Sequence, residues 1–155
     1  MNPSHLLELS FLRICVTKLQ QEDFKILGRL PALRYLGLRV DHENLGIRRR
    51  FFVGACSFPC LVWCELKGFN GGVVFQQGAM PRLTSLELSH PVWVAREITD
   101  SNGGFDLGLG NLPSLQHVEV TLQSEGAREG EVEEVKDALH RTAKIHPNRP
   151  ILQIW

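Results

Sequence analysis

An apolar residue, a second three positions on and a third two after that recur five times along the chain. The copies are Leu6/Leu9/Phe11, Leu33/Leu36/Leu38, Leu61/Cys64/Leu66, Leu83/Leu86/Leu88 and Leu115/Val118/Val120. The last two members of each triplet are two residues apart, and side chains so spaced on a strand share a face. Each triplet therefore predicts a short strand with one buried stripe, entered by a leucine that turns inward. Pro31, Pro59, Pro81 and Pro113 each stand two residues before a triplet, whereas Pro3 is one residue out of that register. Proline ends whatever precedes the strand, because it fixes its own φ and restricts its neighbour.

Successive triplets begin 27, 28, 22 and 32 residues apart, a period within the range of leucine-rich repeats. A strand with a single buried stripe cannot close a core alone, so its neighbours must stack on it. The pattern predicts an α/β fold: a leucine-rich repeat solenoid of about five irregular repeats, with parallel strands on the concave face. The competing reading is an α/β domain whose strands happen to share the motif. The repeats lack the Asn or Cys usual three positions after the strand, and Ile14, Asp41, Phe69, Pro91 and Gln123 stand there instead. Among the spacers, Lys18–Leu30 reads as a helical convex segment. Phe69–Gly78 and Thr99–Gly110 read as glycine-rich loops.

After the fifth triplet the pattern changes. Val132, Val135, Leu139 and Ala143 fall at helical spacing between Glu129 and Ile145. Glutamates crowd the first turns, Arg141, Lys144 and His146 the last, and Pro147 stops the helix. Ile151–Trp155 alternates enough for one more strand. The chain thus divides into leucine-rich repeats over 1–123 and a C-terminal cap over 124–155, with a helix at about 129–145 and a terminal strand at 151–155. No polar cap precedes Leu6, so the other end of the core is expected to be open.

Strand geometry assigns the outward positions to three columns. One holds Glu8, Tyr35, Trp63, Ser85 and His117; the next Ser10, Gly37, Glu65, Glu87 and Glu119; the third Leu12, Arg39, Lys67, Ser89 and Thr121. Neighbouring strands lie about 4.8 Å apart, so Glu65, Glu87 and Glu119 form a ladder of like charges, which costs stability. A sheet with a purely structural task has no need of it. Tyr35 and Trp63 supply aromatic anchors of the kind enriched where proteins bind one another. The candidate partner-binding residues are Tyr35, Arg39, Trp63, Glu65, Lys67, Glu87, His117 and Glu119. The plainer alternatives are a solvated face of mixed polarity, or one that packs on a further domain.

Charge and chemistry narrow the function further. Seventeen Lys+Arg balance seventeen Asp+Glu over 155 residues, which removes the net attraction that nucleic acids and acidic membranes rely on. Arg48–Arg50 before Phe51 and Phe52 form one basic triplet in a long spacer, read as a solvated loop or a contact for an acidic partner surface. No apolar run nears the length of a bilayer span, and no signal peptide is evident. Four cysteines and no glycosylation acceptor favour a reducing, cytoplasmic setting. Cys56, Cys60 and Cys64 are evenly spaced, but Pro59 breaks any helix through them, so core or loop cysteines are a better reading than a metal site. Gly108–Pro113 nearly spells a dinucleotide fingerprint yet leads into a strand. With no His-Glu-x-x-His and no Gly-x-Ser-x-Gly, nothing points to catalysis, a metal or a cofactor.

Three segments carry a resemblance: Leu27-Gly-Arg-Leu-Pro-Ala-Leu-Arg-Tyr-Leu, Ala79-Met-Pro-Arg-Leu-Thr-Ser-Leu-Glu-Leu and Leu109-Gly-Asn-Leu-Pro-Ser-Leu-Gln-His-Val. They resemble the C-terminal leucine-rich region of cereal coiled-coil nucleotide-binding disease resistance proteins. The tail Glu131-Val-Glu-Glu-Val-Lys-Asp-Ala-Leu-His, with His146-Pro-Asn-Arg-Pro after it, is similar to the way those receptors end. The resemblance implies a non-enzymatic module that binds pathogen effectors or guarded host proteins and restrains an upstream nucleotide-binding domain. No Gly-x-x-x-x-Gly-Lys-[Ser/Thr] loop is present, so nucleotide binding is not carried over. The chain is expected to be a fragment of a longer receptor or the product of a truncated gene. A stand-alone leucine-rich scaffold or adaptor is the alternative.

Overall fold

In chain order the elements are β1 (Phe11–Val16), α1 (Gln21–Gly28), β2 (Tyr35–Val40), β3 (Phe51–Val53), β4 (Trp63–Lys67), β5 (Val73–Phe75), β6 (Ser85–Pro91), a 3-10 turn (Leu109–Asn111), β7 (His117–Gln123), α2 (Glu131–Ile145) and β8 (Ile151–Ile154). They come from a computed structural model, which describes residues 8–41, 51–69, 72–91 and 107–155. Six strands form one parallel sheet in the order β1-β2-β4-β6-β7-β8, and β3 pairs in parallel with β5 in a second.

The strands of the large sheet start in the same way. The carbonyl of Ser10 accepts the N–H groups of both Arg34 and Tyr35. That of Arg34 accepts from Val62 and Trp63, that of Val62 from Thr84 and Ser85, and that of Thr84 from Gln116 and His117. This recurrence fixes the register and corrects the first triplet. Leu12 pairs with Leu36 and Ile14 with Leu38, so the first strand follows Leu9/Leu12/Ile14. Phe11, assigned inward from the sequence, faces out beside Tyr35 and is 56% exposed. An apolar residue at 11 as well as at 12 and 14 left two registers open, and a slip of one residue exchanges the faces of a strand. Pro3 and Leu6 lie outside the described residues.

The prolines have a more specific task than ending a segment. Leu61 donates to the Phe58 carbonyl, Leu83 to Met80 and Leu115 to Leu112, so Pro59, Pro81 and Pro113 each occupy the second position of a tight turn, which suits their fixed φ. The residue before each proline is buried: Phe58, Met80 and Leu112, with Leu30 in the equivalent place. Each turn therefore drives an apolar side chain into the core just before the strand begins.

Beneath the large sheet, Leu36, Leu38, Cys64, Leu66, Leu86, Leu88, Val118 and Val120 are at most 5% exposed. Full burial of side chains of this size stabilises by about 1.5–3 kcal/mol each before chain entropy is counted. The inward residues of the edge strands, Leu12 and Ile14 on β1 and Leu152 and Ile154 on β8, are only partly buried.

The far side of the core holds the spacers, and here the sequence reading needs two further corrections. The segment 69–78, read as a loop, contains β5, and Phe51 and Phe52 lie on β3. Phe51 is buried, and Phe24, Phe51, Phe58 and Phe69 form one ring cluster with centroids 5.2–6.0 Å apart. Three-residue strands are too short to show an alternation, which is why they were not legible. Arg48–Arg50 lie outside the described residues, as does most of 99–110. Helix α1 supplies Phe24, and its first residue, Gln21, both donates to and accepts from the backbone of Phe52 at 2.9 Å. A side-chain amide thereby takes the place of a further strand at the edge of the small sheet.

Two glycines are required by close approach. Gly68 and Gly108 have φ near +80°, and a Cβ on either would lie 1.9 Å from the carbonyl oxygen of Val40 or Phe75. Asn111 donates to that same Phe75 carbonyl at 2.9 Å. Where the usual strand-following asparagine is absent, buried Phe69 and Pro91 stand instead, and a different asparagine does part of its work.

Helix α2 buries Glu131, Val135, Ala138 and Leu139, close to the stripe expected from sequence. Its end is tied down by side chains. His146, 3% exposed, places Nε2 2.8 Å from the Leu112 carbonyl, and its Nδ1 accepts from the Asn148 N–H. That pair of bonds requires the neutral ring with its proton on Nε2. Asn148 in turn donates its amide to the carbonyls of Pro113 and Leu115. Strand β8 then pairs with β7, from His117 opposite Ile151 to Val120 opposite Ile154.

Candidate protein-binding face

One face of the large sheet is turned away from the core, and its side chains stand in register across the strands. The first column reads Phe11, Tyr35, Trp63, Ser85, His117, Ile151; the second Arg13, Gly37, Glu65, Glu87, Glu119, Gln153. Cys15, Arg39 and Lys67 begin the third, and Ser89 and Thr121 continue it on β6 and β7. All eight candidate residues from the sequence stand in these columns. The first row is corrected along with the register of β1: Phe11, Arg13 and Cys15 occupy the places assigned to Glu8, Ser10 and Leu12.

Phe11, beside Tyr35, completes an aromatic ladder. Phe11 stacks on Tyr35 at 4.3 Å and Tyr35 on Trp63 at 4.1 Å, with ring planes within 9° and 1° of parallel. In-register parallel strands impose this face-to-face spacing, and the partly exposed rings make a continuous apolar strip along three strands. The strip stops at Ser85, whose short side chain leaves room beside Trp63.

Charge divides along the same line. Glu65 is only 8% exposed and is held by Lys67 at 2.8 Å. Glu87 lies between Glu65 and Glu119. Its partial burial, then these two carboxylates, raise its pKa above the ordinary value, against the opposing pull of Lys67 and Arg13. On β1 and β2, Arg13 and Arg39 are exposed. Two shallow depressions follow. One of about 340 Å³ includes Arg13, Gly37, Arg39, Glu65 and Lys67 in its lining. The other, of about 350 Å³, lies among Trp63, Ser85, Glu87, His117, Glu119 and Gln153.

The cysteines do not converge. Cys64 is fully buried on β4, where burial and then the Glu65 charge push its thiol well above the ordinary value. Cys56 is exposed and Cys60 half-buried. Among the described residues no group of three or more His, Cys, Asp or Glu is arranged to hold a metal ion, and no helix is long and apolar enough to cross a membrane.

A parallel sheet built from recurring strand starts, with a dry apolar side and an outward side of rings and charges, makes a repeat-built α/β domain. The family described as leucine-rich repeat region matches residues 1–152, and the chain belongs to it. Regions of this family generally bind proteins. No curated protein matches the chain.

Proposed function

We propose that this chain is a leucine-rich solenoid of about five irregular repeats that binds a protein ligand on its concave face without catalysing a reaction. The observation that carries the reading is the outward ladder Phe11–Tyr35–Trp63. Three stacked rings left partly in water stabilise the strands by at most about 0.5–1.5 kcal/mol per pair, and rings so placed are typical anchors for a partner. The residue-level resemblance of the repeats and tail adds the finer reading. The module belongs to a cytoplasmic plant immune receptor, recognises effectors or guarded host proteins, and restrains a nucleotide-binding domain that lies upstream in a longer chain.

Two experiments test this. Tyr35→Ala with Trp63→Ala should abolish capture of the partner while the circular dichroism shows that the fold is kept, at a cost of no more than about 3 kcal/mol for the two lost ring pairs. Undiminished capture overturns the face reading. An antibody raised to residues 131–155 should detect a band several-fold heavier than this chain in extracts of the source tissue. A band at the mass of this chain alone refutes the receptor reading and leaves a free-standing scaffold.

A further inference from the structure

The two depressions on the outward face carry opposite charge. At the β1–β2 side Arg13 and Arg39 form no ion pair with any described residue; at the β6–β7 side neither do Glu87 and Glu119. The Glu65–Lys67 pair on β4 also lines the basic depression, but it is closed upon itself, so the net charge there is that of Arg13 and Arg39. The ring ladder runs beside the basic half and ends, at Trp63, on the lip of the acidic one.

We infer that this face receives an extended polypeptide segment that is itself bipolar, with a Lys or Arg side chain seated between Glu87 and Glu119 beside Trp63 and a carboxylate seated on Arg13 and Arg39. This rests on the protein-binding reading of the face and names the chemistry of its ligand. Charge complementarity selects the occupant. A nucleic acid or a uniformly acidic segment is repelled by Glu87 and Glu119, and a uniformly basic one by Arg13 and Arg39.

The geometry also sets a spacing. From the β1–β2 midline to the β6–β7 midline is three strand intervals, or about 14 Å. An extended segment crossing the strands advances about 3.3 Å per residue, so its cation and carboxylate stand about four residues apart. The residues between them lie along the ring ladder, where an apolar side chain is favoured. The cation has a specific effect at its seat. Two carboxylates crowd Glu87 from the neighbouring strands, and a guanidinium or ammonium between Glu87 and Glu119 relieves that repulsion. A Lys or Arg over the face of Trp63 that is not stacked on Tyr35 gains a cation–π contact as well.

The test titrates the isotopically labelled chain with the acetylated, amidated peptide Arg-Ser-Leu-Ser-Asp and follows backbone amide shifts. Expected is saturable binding that moves amides on both β1–β2 and β6–β7. Replacing the peptide's Arg by Gln, or its Asp by Asn, should weaken binding roughly two- to fivefold each, the range for exposed charge pairs. Glu87→Gln with Glu119→Gln should abolish the preference for Arg over Gln and keep that for Asp over Asn. Arg13→Gln with Arg39→Gln should do the reverse. All four positions are on the outward face, and the unperturbed amide spectrum of each variant checks that it folds.

Binding that ignores both charge changes while still shifting amides near Tyr35 and Trp63 overturns the bipolar proposal and leaves the face reading intact. Absence of shifts on the face at millimolar peptide overturns the proposal too. Concentration-dependent shifts of the same amides without peptide would overturn it in favour of a second copy of the chain as the occupant. The face reading fails on a separate result, capture of the natural partner by the Tyr35→Ala, Trp63→Ala chain.

Discussion

The two sides of the six-stranded sheet are made from the same strands and follow opposite rules. On the inner side the positions repeat in type: leucine, valine or a buried cysteine at each central step, at most 5% exposed. On the outer side no column repeats a residue type for more than three strands. A core asks only for apolar volume, so each strand can answer with the same few residues. A surface that only had to be wet would mix charges freely. Instead the rings are gathered at one end of their column and the unpaired carboxylates at the other end of the next. The inner side reports how the fold closes, and the outer side carries the arrangement on which the proposed binding rests.

The contrast is sharpest between two phenylalanines. Phe69 is 2% exposed with its ring 5.2 Å from Phe51, so Phe69→Ala should cost about 3–5 kcal/mol, a large share of the ~5–15 kcal/mol typical of a domain. Phe11→Ala, on the outer ladder, should cost no more than about 1.5 kcal/mol. Urea denaturation of both variants measures the gap, and equal losses would mean that the outer rings are structural. Two glycines give the next comparison. Gly68→Ala forces a side chain onto a backbone carbonyl at positive φ and should cost about 1–3 kcal/mol or more. Gly37→Ala, whose new Cβ meets only the flexible Arg13 side chain at 3.2 Å, should stay within about 1 kcal/mol of wild type. Thermal melts of the pair decide it.

Asn148→Ala should lie between, losing about 1–2 kcal/mol because the carbonyls of Pro113 and Leu115 lose their amide donor. Hydrogen exchange should show that loss first in α2 and β8. The smallest effect has the opposite sign. Glu87→Gln removes a carboxylate that two like charges crowd, and should stabilise the chain by a few tenths of a kcal/mol at neutral pH. Because the folded pKa of Glu87 is raised, the protonated group is the one the fold favours. The wild type loses that contribution as pH rises through the raised pKa and regains it on acidification. The gain from Gln should therefore fade as pH falls through the carboxylate range, and a pH series of melts would expose a constant gain as something other than charge relief.

Much of this was legible in the residues. The triplets at Leu33, Leu61, Leu83 and Leu115 gave strands in the correct register, since a two-residue period with flanking leucine and proline admits one alignment. The same alignment placed Tyr35, Trp63, Glu65, Glu87, His117 and Glu119 in their columns, and helical spacing marked α2. The first strand was not legible, because apolar residues at 9, 11, 12 and 14 fit two registers. Strands β3 and β5 were hidden by their length, and the tasks of Gln21, Asn111, His146 and Asn148 by distance. Each reaches a backbone group 31 to 36 residues away, and no local pattern announces such a bond.

By itself, then, the sequence determined what local chemistry can determine: which side chains enter the core of each recurring strand, where the turns fall, and which residues share an outward column. Tertiary structure decided the rest. Pairing with β2 chose the register of β1, and with it the exchange of Phe11, Arg13 and Cys15 for Glu8, Ser10 and Leu12 on the outer side. Stacking strands in parallel at one spacing turned separate Phe, Tyr and Trp residues into a ladder, and separate glutamates into a crowded row. The physical reason is that alternation along one strand defines two faces only up to a slip of one residue. The free energy of burying the correct face against its neighbours removes that ambiguity.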